Sequence, residues 1–148
     1  MKQKGKMRRV TKILSILAAA MFLTAALTGC QSAGTELSDK FDEETVKSEA
    51  MKAIELFNDR DYEGICDMGT QEFKDLLTYE EYKEQCDPFL DKCGEFKEIS
   101  KTVVMGSKDK KTGAEYGGAV MVGTYEDGKI QFTIGFDEDM KLVQFLIK

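Results

Sequence analysis

The sequence predicts an α+β fold, with helices packed on one face of a curved antiparallel sheet of about four strands, cone-like in outline. Two observations carry this. Up to Gly94 the apolar residues recur with a helical period, and after Gly94 the period becomes two. The dipeptide Asp127-Gly128 then stands between two alternating runs, a strong hairpin signal. Helices gathered ahead of strands mark α+β and not alternating α/β.

Taken in order, Val46, Ala50, Ala53, Ile54 and Phe57 form one apolar stripe on a first helix. Asn58-Asp59-Arg60-Asp61 breaks it, and Asp61 can cap a short helix carrying Tyr62, Ile65 and Cys66. Gly69 ends that piece, and Thr70 can cap another with Phe73, Leu76 and Leu77. Thr78-Tyr79-Glu80-Glu81 is a capping box. Behind it Tyr82, Cys86, Phe89, Leu90 and Cys93 trace a helical face that Gly94 stops. Pro88 predicts a kink or a restart inside that helix, because an interior proline costs roughly 3 kcal/mol. Strands are expected over Phe96–Met105, with room for a bulge, then Tyr116–Tyr125, then Ile130–Phe136. Leu142–Ile147 is nearly all apolar and is expected to be buried on both faces.

The start of the chain is of another kind. Lys2, Lys4, Lys6, Arg8, Arg9 and Lys12 come with no acid before residue 30, and an apolar run follows from Ile13 to Leu27. The run is shorter than the roughly 20 residues a spanning helix needs, and it reads as a secretory signal. Leu27-Thr28-Gly29-Cys30 resembles the lipobox of bacterial lipoproteins. That resemblance implies cleavage before Cys30 and a diacylglyceryl group on its thiol. Two acyl chains anchor stably where one does not. The expected organisation is a signal peptide at 1–29, the lipidated Cys30 and a flexible tether at 30–40, and a single domain at 41–148. The expected location is the extracytoplasmic face of the cell membrane.

Removing the signal leaves 15 basic and 27 acidic residues, a net −12. Phosphates repel such a domain, so nucleic acid is not an expected partner. No histidine is present, which removes the commonest general base and transition-metal ligand. No glycine pattern matches a phosphate-cradling loop. Neither a cofactor nor a metal is expected. The runs Asp42-Glu43-Glu44 and Asp137-Glu138-Asp139 lack the spacing of a calcium loop and read as a helix start and a solvated turn.

Cys66, Cys86 and Cys93 remain besides Cys30. One reading pairs Cys66 with Cys86 or Cys93; the other, preferred, makes all three small buried apolar residues. Tyr82, Tyr116, Tyr125, Phe132 and Phe145 are candidates to line a cavity between helices and sheet, with ordinary core packing as the alternative.

The helix–helix–meander order, with Phe57-Asn58-Asp59-Arg60-Asp61-Tyr62-Glu63 and the ending Phe136-Asp137-Glu138-Asp139-Met140-Lys141-Leu142, resembles the nuclear-transport-factor-2-like cone. It resembles in particular uncharacterised bacterial lipoproteins of that fold. Met140 stands where that ending commonly has a turn glycine. The resemblance implies a pocket between sheet and helices and leaves a homodimer open. The leading expectation is a membrane-tethered, non-enzymatic domain that binds an unknown small molecule or an envelope protein. The alternatives are a small enzyme using a pocket Asp and Tyr for proton transfer, and a structural component of envelope assembly.

Overall fold

The computed structural model describes residues 35–76 and 78–148. The basic and apolar start, Cys30 and Leu77 lie outside the described residues. Among the described residues four helices precede four strands: α1 (Glu43–Asn58), α2 (Tyr62–Asp67), α3 (Gln71–Leu76), α4 (Tyr79–Cys93), β1 (Phe96–Lys108), β2 (Glu115–Tyr125), β3 (Lys129–Phe136) and β4 (Leu142–Ile147). The strands form one antiparallel sheet in the order β1-β2-β3-β4, so the fold is the α+β arrangement expected.

Local chemistry starts each helix. The Asp42 side chain accepts from Thr45 N at 2.8 Å, and Asp61 accepts from Gly64 N at 2.9 Å. At α4 the capping box is complete: Glu81 N donates to Thr78 Oγ1, and Thr78 N donates to the Glu81 carboxylate. The apolar stripe of α1 is fully buried, and it packs on Ile130, Phe132, Ile134 and Phe136, the inward-facing alternates of β3.

Four expectations are corrected. One helix runs through Pro88 with no restart. Tyr82 and Cys86 before the proline and Leu90 and Cys93 after it are all buried on the same face, and that shared burial outweighs one missing backbone bond. β1 continues three residues past Met105, because Gly106, Ser107 and Lys108 pair with Gly117, Tyr116 and Glu115. It carries two register shifts, at Phe96/Glu98 and Ile99/Lys101. β4, an edge strand, is covered on both faces only in its middle, where the adjacent Gln144 and Phe145 are both buried, while Val143, Leu146 and Ile147 are half-buried.

The fourth correction concerns residues 35–40, expected as flexible tether. They are fastened to the domain. Gly106 N donates to Thr35 O at 2.8 Å and Thr35 Oγ1 to Gly106 O at 2.7 Å. Lys40 sits between Glu115 at 2.9 Å and Glu138 at 2.7 Å. Glycine matters at position 106, where a Cβ would stand 2.7 Å from the carbonyl oxygen of Glu36.

Met140 has φ +58°. The turn holds it there because the Asp137 carboxylate accepts from Asp139 N and Lys141 N, while Asp137 N donates to Lys141 O. A non-glycine residue in this region carries about 1–2 kcal/mol of strain.

Candidate functional site

Of the five aromatic residues proposed as cavity lining, the structure places three in packed core. Phe132 is fully buried, and its ring lies 6.1 Å from that of Phe145 and 5.2 Å from that of Phe57. Tyr82 is buried against Phe73 at 6.2 Å. Inward alternation identifies such residues but not whether the space they face is already filled. Tyr116 is half-buried near the far end of the β1–β2 ladder. Tyr125 borders an open groove.

That groove has a volume of about 460 Å³ and lies where the ends of α1 and α4 meet the start of β1 and the end of β2. Its apolar side is Leu90 and Phe96, and the Phe96 ring meets Tyr125 edge-on at 5.4 Å. Its polar side starts with Tyr125 Oη, which donates to Asn58 Oδ1 at 2.6 Å. Burial pushes the Tyr125 hydroxyl well above its ordinary pKa, so it remains a neutral donor. Glu95 and Glu126 supply acid. The Glu126 carboxylate accepts from Glu95 N at 3.4 Å and faces Lys97 at 3.5 Å. Gly94 makes this closeness feasible: it ends α4 at φ +74°, and a Cβ there would lie 2.9 Å from Glu126 Oε2.

Arg60 closes the groove and was not singled out from the sequence. It follows α1 in the left-handed region, φ +58°. Its N–H donates to Phe57 O and that of Asp61 to Leu56 O, the Schellman pattern with arginine where glycine is usual. The strain is offset by its side chain. The guanidinium reaches Asp87 at 2.9 Å and Asp91 at 2.7 Å, tying the end of α1 to α4. Asp87 also accepts from Tyr62 Oη at 2.5 Å. The polar break Asn58-Asp59-Arg60-Asp61 was the sequence signal, but the partners of Arg60, 27 and 31 residues onward, follow only from helix packing.

The hydrogen bond from Tyr62, then the one from Arg60, hold the Asp87 carboxyl below its ordinary pKa. A carboxylate lowered on folding stabilises fully above its unfolded pKa and loses that contribution as pH falls through the folded value. Asp87→Asn is therefore expected to unfold less steeply in acid than the parent, below about pH 4. Circular dichroism across an acid titration checks this, and coincident curves would exclude Asp87 from acid unfolding.

Cys66, Cys86 and Cys93 are free thiols, so the structure does not join Cys66 to either of the others. Burial raises the Cys66 thiol and pushes Cys86 up to about 12, which keeps both protonated and poor nucleophiles at neutral pH. Among the described residues, no group of three or more Cys, Asp or Glu side chains converges as a metal site requires. The groove as built can hold a ligand by apolar contact and hydrogen bonds.

A family model described as "Protein of unknown function (DUF3887)" matches residues 50–145. A solved structure described as the NMR structure of a protein from Ruminococcus gnavus ATCC 29149 is similar at TM-score 0.67 and 36% identity. The match covers 78% of this chain and 99% of that one. No curated protein matches.

Proposed function

We infer a role for this chain from the premise that it belongs to the family described as protein of unknown function DUF3887: it is a lipid-anchored extracytoplasmic domain that binds a ligand or an envelope protein through its groove. The lipobox-like Leu27-Thr28-Gly29-Cys30 supports the anchor and the extracytoplasmic address. Helices on one face of a curved sheet fit the nuclear-transport-factor-2-like cone.

The groove carries the binding reading. It sets an apolar wall of Leu90 and Phe96 beside the Asn58–Tyr125 pair and two carboxylates. Such a lining suits a small apolar group with an amide or cationic end. The enzyme reading asks for a carboxylate of raised pKa beside a tyrosine. The carboxylate that does touch a tyrosine hydroxyl, Asp87, is shifted downward and tied to Arg60.

The test is native mass spectrometry of residues 35–148 after incubation with envelope extract from the host. A discrete adduct is expected, weakened at least tenfold, about 1.4 kcal/mol, by Glu126→Lys. A bare domain, or an adduct indifferent to Glu126→Lys and Leu90→Ala alike, would remove the groove from the function.

A further inference from the structure

We propose that the lysine-bearing turn between β1 and β2 is the surface on which the anchored domain rests, against the anionic headgroups of its membrane. The proposal rests on the lipid-anchored reading above. Its first support is where the chain leaves the fold. Thr35, where the described chain begins, is bonded to Gly106, three residues before the Asp109–Ala114 turn. Gln31 to Gly34 separate the two points, a reach of about 18 Å at full extension. The turn itself lies about 13 Å along the strand from Gly106. That reach lets a lipid on Cys30 and the turn meet one plane.

The second support is charge. On a mature chain of net −12, Lys108, Lys110 and Lys111 stand together and exposed. The acids of the hairpin itself, Asp109 and Glu115, are engaged, and the acidic Asp137–Asp139 turn, at the same end of the sheet, starts level with Gly106 and so behind the hairpin tip. The Asp109 carboxylate accepts from Lys111 N at 2.7 Å and Thr112 N at 3.2 Å, which fixes the turn. Glu115 is held by Lys40 at 2.9 Å and Lys108 at 3.8 Å. An anionic surface repels the acidic remainder and attracts this turn, within a Debye length of about 8–10 Å. The anchor supplies proximity, and the lysines supply orientation. The groove borders the other end of the β1–β2 ladder, where Phe96 pairs with Tyr125, about 40 Å along β1. Resting on the turn presents the groove away from the membrane.

The experiment uses the processed full chain in vesicles of phosphatidylcholine alone or mixed with phosphatidylglycerol. A water-soluble amine-acylating reagent is added and each lysine is read by peptide mass spectrometry. On the anionic vesicles Lys110 and Lys111 are each expected to label about fivefold less, from about 1 kcal/mol per lysine at the surface, while Lys52 and Lys83 on the helices label equally on both. High salt is expected to restore labelling. Equal labelling of Lys110 and Lys111 on the two vesicles, with the Cys30 peptide carrying diacylglycerol, overturns the orientation and leaves the anchor standing. A Cys30 peptide without lipid overturns both.

Discussion

Phe57→Ala is expected to cost about 3–5 kcal/mol, a large share of the 5–15 kcal/mol that holds a domain of this size together. Phe57 is the last stripe residue of α1 and is fully buried. Its ring lies 5.2 Å from Phe132 on β3, 6.0 Å from Phe145 on β4 and 6.5 Å from Tyr62 on α2. Truncation opens a void at the point where both helices and the last two strands converge, and the flanking Schellman turn restricts collapse into it. Urea unfolding checks the value: the midpoint should fall sharply with little change in slope, because the native surface is the same. A loss under about 1 kcal/mol would mean that this aromatic cluster does not hold helices to sheet.

Gln144→Leu is expected to have the opposite sign. Gln144 is 5% exposed, and neither Oε1 nor Nε2 has a hydrogen-bond partner. An unsatisfied buried amide costs about 1–3 kcal/mol, and a leucine of similar size removes that cost. The site is on β4 opposite Gly135, which in turn pairs with Gly118, so the two nearest cross-strand positions carry no side chain, and the first that does is Met105 on β1. Thermal unfolding should shift upward by about 4–8 °C for each kcal/mol gained. A lowered midpoint would show that the amide is satisfied in solution, and the position would then be a polar contact worth tracing.

The residues that started and stopped each element acted over short spans. Thr78 and Glu81 are three apart, as are Asp61 and Gly64, and their hydrogen bonds form as the pattern requires. The stripe Val46 to Phe57 and the alternation Ile130 to Phe136 are likewise local, and both are buried as periodicity demands. Pro88 misled for the complementary reason: its local cost is real, but the burial that overrides it belongs to the whole face of α4.

The candidate site was far less legible. Tyr82, Phe132 and Phe145 were recognised as inward-facing, but a period gives a face and not the distance to the layer opposite. Phe57 and Phe73 fill the space those side chains would have lined. Tyr125 borders the groove because Gly94 lets the end of α4 approach Glu126, a contact between residues 32 apart.

The sequence by itself determined the α+β class, the element order, the caps and the acidic charge, because each follows from neighbours within a turn or a strand. Only the tertiary structure decided which aromatics became core and that Arg60 would join Asp87 and Asp91. It also decided that Thr35 would be stitched to Gly106. These contacts depend on how layers settle against one another, and that is set by the summed packing of the domain, which no short stretch of residues contains.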